Sequence, residues 1–116
     1  MKTKLALTVA VLAIFFAATG QAASAQSQGK IPSWLYNAFM CIKSHEGWWT
    51  ANTGNGYYGA FQMDRSFQMA YGRDYVRRYG WAHNWPPSVQ LEVAVRGWRD
   101  RGFAPWPNTA RMCGLL

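Results

Sequence analysis

The feature that most constrains the fold is an amphipathic helix pattern that ends in an acidic residue. Leu35, Phe39 and Ile42 are spaced i, i+4 and i+7, so they lie on one stripe of an α-helix. Glu46 continues the same stripe, and Gly47, a residue type expected just past a helix end, follows it. The pattern therefore predicts a helix that buries one face and presents a carboxyl group at its C-terminal end.

Two effects favour the protonated form of Glu46. Burial penalises a charged carboxylate, and the C-terminal end of a helix carries partial negative charge. A carboxyl group that keeps its proton near neutral pH can act as a general acid. The competing interpretation is a solvated glutamate at a helix end, which is the commoner role for such a residue considered alone.

The segment that follows is rich in glycine and aromatic residues and predicts a hairpin. Asn55-Gly56 is a dipeptide typical of tight turns. We expect short strands over 48–50 and 57–63, with side chains alternating between two faces in the second strand.

The remaining patterns predict a mainly helical chain. The helices are expected over 34–45, 67–71, 74–79 and 88–101, and serines at positions 33, 66 and 88 are the expected N-caps of the first, second and last of these helices.

The run from Asn52 to Gln62, Asn-Thr-Gly-Asn-Gly-Tyr-Tyr-Gly-Ala-Phe-Gln, resembles the core motif of the resuscitation-promoting factors. These are small secreted lysozyme-like domains that cut peptidoglycan, and they belong with the lytic transglycosylases. The resemblance is dense over residues 41–72. It implies an α+β, mainly α, lysozyme-like domain with a short β-hairpin beside the substrate cleft. In that family the acid usually follows its cysteine directly, whereas Cys41 here precedes Glu46 by five residues.

The resemblance also implies a mechanism and a substrate. In the lytic transglycosylases a single glutamate, Glu46 here, protonates the glycosidic oxygen between N-acetylmuramic acid and N-acetylglucosamine. The 6-hydroxyl of the sugar then attacks, which leaves a 1,6-anhydro end. Hydrolysis by water, as in a muramidase, is the open alternative.

Substrate contacts are expected from amide and aromatic side chains, because flat rings can stack on sugars. Each aromatic residue has core packing as an equally frequent alternative role. Motif position indicates Gln62, Tyr57 and Tyr58, with Asn52 and Thr53 as weaker candidates, and Trp48 or Trp49 as an apolar wall beside the acid.

The chain has five carboxylates, so each can be assigned a role. Asp64 directly follows the second predicted strand and is the candidate for a second catalytic carboxylate. The other three lie near arginines and are expected to form surface ion pairs: Asp74, Glu92 and Asp100.

A metal site is not expected. His45-Glu46 begins an H-E-x-x-H zinc pattern, but Trp49 occupies the position of the second histidine. We therefore predict a chain without a metal or cofactor.

Residues 1–25 have the features of a signal peptide. Lys2 and Lys4 precede an apolar run over 5–18, and small residues near position 25 predict cleavage before Gln26. An uncleaved anchor is the alternative, although the run is short for a membrane span. Export predicts a secreted, wall-associated protein without stable membrane insertion after cleavage.

Removal of 25 of the 116 residues would leave 91, enough for one small domain. We expect a short flexible leader over 26–31 and a domain over 32–116, with a monomer as the expected state. Because export exposes the chain to oxidising conditions, Cys41 and Cys113 are predicted to form a disulfide; two free buried thiols are the alternative.

Positive charge predicts an anionic partner. The formal charge is +7, and it falls to +5 without Lys2 and Lys4. No nucleic-acid motif accompanies this charge, so peptidoglycan glycan strands are the expected partner and nucleic acid is not.

The sequence thus favours a secreted peptidoglycan-cleaving enzyme. Two alternatives remain open. One is a non-catalytic glycan-binding module with the same fold, which the short segment between Glu46 and Asn52 favours weakly. The other is a cationic membrane-active antimicrobial protein in which charge and tryptophans act.

Overall fold

The structure is a computed structural model that describes residues 29–116. The expected signal peptide, its cleavage site and the first three residues of the expected leader lie outside the described residues. Ile31–Leu116 form one compact unit. Within the described part of the chain, no helix has both the length and the apolar character needed to cross a bilayer.

Helices dominate the fold, and a two-stranded antiparallel sheet is inserted after the first of them. The α+β, mainly α, fold class is thereby confirmed. The elements in chain order are α1 (Ser33–Glu46), β1 (Tyr57–Tyr58), β2 (Met63–Asp64), α2 (Arg65–Tyr71), α3 (Arg73–Tyr79), a 3₁₀ turn (Ala82–Asn84), α4 (Pro87–Arg101) and α5 (Pro107–Met112).

The predicted serine N-caps are wrong, because proline and aspartate occupy the cap positions. Pro32 precedes α1 and Pro86 precedes α4, each with an extended ψ and no side-chain cap bond. The fixed φ of proline already suits the entry into a helix. Helix α2 is capped by Asp64, whose Oδ1 accepts a hydrogen bond of 2.7 Å from the Phe67 amide.

The predicted continuous strand over 57–63 is wrong, because the chain reverses within it. Tyr57 pairs with Asp64 and Tyr58 with Met63, so residues 59–62 form the turn. Gly59 has φ +75° and Gln62 has φ +46°, both in the left-handed region. Residues 48–50, also predicted as a strand, form a turn instead.

A buried glutamine of α4 accounts for this turn. Gln90 Oε1 accepts a 2.9 Å hydrogen bond from the Ala60 amide. It also lies 2.4 Å from the point that a Cβ on Gly59 would occupy, so a side chain at Gly59 would collide with it. The contact with Gln90, 30 residues away in sequence, therefore explains why the chain turns where the sequence pattern predicted a continuous strand.

Aromatic rings fill the core between α1, the hairpin turn and α5. The ring centroid of Phe39 lies 5.5 Å from that of Phe61 and 5.3 Å from that of Trp106, and both pairs have edge-to-face geometry. The predicted disulfide between Cys41 and Cys113 is confirmed, and it joins α1 to the end of α5.

Candidate active site

Glu46 is the last residue of α1 and is partly buried. Its Oε1 accepts a hydrogen bond of 2.8 Å from the hydroxyl of Thr109, which lies on α5 and is 8% exposed. The carboxyl group thus sits at the C-terminal end of a helix, where the partial charge is negative. Sequence reasoning missed Thr109, because 63 residues separate it from Glu46 and no local pattern marks it.

Helix α5 is fixed at both ends beside α1. At its N-terminal end, Trp106 is buried and its Nε1 donates a 2.8 Å hydrogen bond to the Phe61 carbonyl. At its C-terminal end, Cys113 is the C-cap residue and is bonded to Cys41. The six-residue helix that carries Thr109 is therefore anchored to the helix that carries Glu46.

The side-chain amide of Gln62 lies beside the residue that follows the acid. Its Nε2 is 3.3 Å from the point where a Cβ on Gly47 would lie, and it donates a 3.0 Å bond to the Gly59 carbonyl. Its Oε1 accepts a 3.3 Å bond from Asn55, a residue that the sequence marked only as a turn former. Gln62 thus enters the neighbourhood of Glu46 from the hairpin turn.

Two aromatic residues predicted to bind substrate are exposed. The Tyr57 side chain is 47% exposed on β1, and the Trp48 side chain is 64% exposed just past Glu46. The Lys43 ammonium group lies 4.3 Å from the centroid of the Trp48 ring, a distance typical of a cation–π contact. Both rings are therefore free to contact a large ligand.

Other predicted site residues have structural contacts. Tyr58 is 7% exposed, and its ring stacks on Trp81 and His83. Its hydroxyl accepts a 3.2 Å hydrogen bond from Arg65. We therefore assign Tyr58 to the core. Trp49 is partly buried and packs edge-to-face against the core ring of Phe61.

Three more candidates lie on the hairpin and the loop before it. Asn52 and Thr53 are exposed in that loop, where the backbone of Asn52 forms a bridge to Tyr58. Asp64 is exposed, but one of its oxygens caps α2.

A groove of about 510 Å³ opens beside the hairpin. Tyr57 and Asp64 line it on the hairpin side, and Arg101 and Trp106 line it from the end of α4 and the segment before α5. Pro107, the first residue of α5, also lines the groove, whereas Glu46, Gln62 and Trp48 do not. Sequence reasoning did not assign Arg101 or Trp106 to the site.

In the described residues, one group of three residues of metal-binding type lies close together, but two of the three cannot bind a metal. The candidate ligand atoms of Cys41, His45 and Cys113 lie within 4.8 Å of one another. The two sulfurs form a disulfide, and a metal ligand requires the thiolate.

Comparison with protein families identifies the family to which the chain is similar. A family described as a transglycosylase-like domain matches residues 41–109, which is more than half of the chain and includes both Glu46 and Thr109. No curated protein compared with the chain matches it.

Proposed function

Because the chain belongs to the transglycosylase-like domain family, we propose that it is a peptidoglycan-cleaving enzyme with Glu46 as its catalytic acid. The observation that carries this proposal is the position of Glu46. It lies inside the matched segment at the end of a helix with one buried face, two residues before the exposed Trp48, and a buried hydroxyl holds one of its oxygens. Its other oxygen has no hydrogen-bond partner in the described residues and is available to a substrate.

The proposed reaction needs one carboxyl group. The proton of Glu46 passes to the oxygen between N-acetylmuramic acid and N-acetylglucosamine, and the bond from this oxygen to C1 of the muramic acid breaks. The 6-hydroxyl of the same muramic acid forms a new bond to C1. Its proton returns to the Glu46 carboxylate, which restores the acid and leaves a 1,6-anhydro product.

The roles of the other four carboxylates favour this mechanism over a two-carboxylate one. All five lie in the described residues. Glu92 and Asp74 both contact Arg96, at 3.0 and 3.3 Å. Asp100 accepts a hydrogen bond from Tyr71, and Asp64 caps α2. In the described residues Glu46 and Asp100 each accept a hydrogen bond from a hydroxyl and form no ion pair, and of these two only Glu46 is partly buried.

The glycan strand is proposed to lie along the groove and past Glu46. Tyr57 and Trp48 offer exposed rings on which sugar rings can stack. Gln62 brings an amide close to Gly47, the residue after the acid, and amides are suited to the hydroxyl and acetamido groups of amino sugars. We propose these three residues, with Glu46, as the core of the substrate site, and Asn52 and Thr53 as flanking contacts.

Export to the cell wall is part of the same proposal. The expected signal peptide over 1–25 would deliver the domain to its substrate. The Cys41–Cys113 disulfide supports this location, because such bonds persist in oxidising compartments.

The test is mass analysis of the soluble products released from purified peptidoglycan. We expect 1,6-anhydro-muropeptides from the wild type and none from Glu46→Gln. Asp64→Asn is the matched control: asparagine also caps helices well, so this variant should keep its fold and its activity.

Other products would change the assignment. Reducing, hydrated ends would make the protein a muramidase, and loss of those products in Asp64→Asn would identify the second carboxylate. Binding of glycan strands without release by any variant would favour the non-catalytic binding module. Membrane lysis that survives Glu46→Gln would favour the antimicrobial alternative.

A further inference from the structure

We propose that Thr109 is a positioning residue for the catalytic acid, and that the disulfide-anchored helix α5 holds the Thr109 hydroxyl against Glu46. This inference rests on the proposed role of Glu46. It adds a residue from the tail of the chain, outside the glycine-rich motif, to the machinery of the reaction.

The hydroxyl of Thr109 has one proton and two acceptors within reach. The Glu46 Oε1 atom lies 2.8 Å from Oγ1, and the Trp106 carbonyl oxygen lies 3.5 Å from it. A hydroxyl has a single hydrogen to donate, and the shorter contact has the normal length of an O–H···O hydrogen bond. Thr109 therefore donates to the acid.

This bond fixes one carboxyl oxygen and leaves the other for the substrate. Without this bond the side-chain torsions of Glu46 can change rotamer, and rotation of the carboxyl group about the terminal torsion is soft. With Oε1 held by Thr109, the proton to be transferred sits on Oε2. When that proton leaves, the hydrogen bond becomes charge-assisted and stronger. Thr109 therefore stabilises the carboxylate that forms as the glycosidic bond breaks, which is the kind of interaction that lowers a barrier.

The threonine itself is held rigidly. Its β-branched side chain has few rotamers in a helix, and a threonine hydroxyl there lies naturally near the carbonyl three residues before it. That carbonyl belongs to Trp106. Burial of Thr109 also excludes water that would compete for the carboxyl oxygen.

Helix α5 needs its anchors to hold this position. A helix of six residues is not stable alone. Trp106 fixes its first turn through the Phe61 carbonyl, and Cys113 fixes its end through Cys41. Cys41 lies five residues before Glu46 on α1, so the disulfide ties α5 to the same stretch of helix that presents the acid.

The experiment compares Thr109→Val, Thr109→Ser and the wild type, each produced from the full chain. Valine keeps the shape of threonine and removes the hydroxyl, whereas serine restores it. On soluble glycan strands we expect kcat to fall roughly 10- to 100-fold in Thr109→Val with KM unchanged, and to recover in Thr109→Ser. A kcat in Thr109→Val equal to that of the wild type would overturn the inference.

A second measurement tests the positioning role of Thr109 and does not depend on enzymatic activity. Three-bond NMR couplings across the side-chain torsions of Glu46 should report one rotamer in the wild type and in Thr109→Ser, and averaging in Thr109→Val. Equal couplings in all three proteins would overturn the positioning role. If the wild type proves inactive, the proposed function fails while these couplings still test the positioning. Thr109→Ala replaces Thr109→Val in both measurements if the valine variant does not fold.

Discussion

Gln90, a residue of α4, reaches the candidate site through its side chain alone. Its Oε1 accepts from the Ala60 amide, while its Nε2 donates to the carbonyls of Trp49 and Trp85 at 2.7 and 3.1 Å. Ala60 lies on the hairpin turn, Trp49 lies on the segment after α1, and Trp85 lies just before α4. Because buried amides are costly unless they are satisfied, these bonds fix the turn that carries Gln62.

The hydroxyl of Tyr75 makes a pH-dependent contribution to the stability of the folded protein. Its hydroxyl donates a 2.5 Å hydrogen bond to Glu92, and this bond is the main reason that the pKa of Tyr75 is raised above 10.0. Burial and the charge of Glu92 raise it further. The hydrogen bond to Asp100 also raises the pKa of Tyr71. We therefore expect tyrosinate absorbance to show a component that titrates above 10.0, and this component to decrease in Tyr75→Phe.

The raised pKa of Tyr75 also sets the direction of a stability change. The neutral hydroxyl is favoured in the folded protein, so its contribution is complete below pH 10.0 and is lost as the pH rises through the folded pKa. Urea midpoints measured across this range should fall less steeply in Tyr75→Phe, and also in Glu92→Gln, than in the wild type. The same slope in all three proteins would refute this assignment.

At the scale of helices, close packing of α2 against α4 depends on a glycine. A Cβ on Gly97 would lie 2.2 Å from Cζ of Phe67, whose ring packs against Tyr71 and Trp106. We expect Gly97→Ala to lower the free energy of unfolding by about 1–3 kcal/mol, because the added methyl overpacks this contact. Chemical denaturation monitored by circular dichroism measures the change.

A double-mutant cycle separates this contact from helix propensity. In the Phe67→Leu background the collision is relieved, so Gly97→Ala should become neutral or stabilising, since alanine is the better helix former by about 1 kcal/mol. Arg99→Ala, an exposed change on the same helix, is the control and should have little effect. Equal costs of Gly97→Ala in both backgrounds would show that the ring is not responsible.

Local sequence patterns predicted four of the five α-helices in the described residues, and α5 was not among the predicted helices. The stripe that includes Phe39 and Ile42 is buried as predicted, and Gly80 and Gly102 follow α3 and α4 with positive φ. The boundaries of these helices depend on neighbours within a few residues, which a sequence displays directly. The interpretation of Glu46 as a residue at the end of α1 has the same basis.

Long-range contacts explain what the sequence did not predict. The hairpin turn depends on Gln90, 30 residues away, and the contact to the acid depends on Thr109, 63 residues away. Asp64 was considered as a catalytic carboxylate, but its role as the cap of α2 depends on where the turn ends. Polar residues in these positions show no periodicity, so their partners become visible only in three dimensions.

At the scale of the whole molecule, one covalent bond closes almost the entire described chain. Cys41 and Cys113 are 72 residues apart in sequence. Between them lie the hairpin, the groove and the three helices from α2 to α4. A closed loop of this length reduces the entropy of the unfolded chain more than it restricts the folded one.

Replacing both cysteines should therefore destabilise the domain strongly. We expect the Cys41→Ser, Cys113→Ser double variant to lose roughly 4 kcal/mol of unfolding free energy on the chain-entropy model. Its denaturant slope should rise, because the unfolded chain exposes more surface without the cross-link. Urea denaturation of the double variant and of the wild type, oxidised and reduced, measures both quantities. The reduced wild type should match the double variant. If both unfold at the midpoint of the oxidised protein, packing of α5 through Trp106 holds the tail in place without the disulfide.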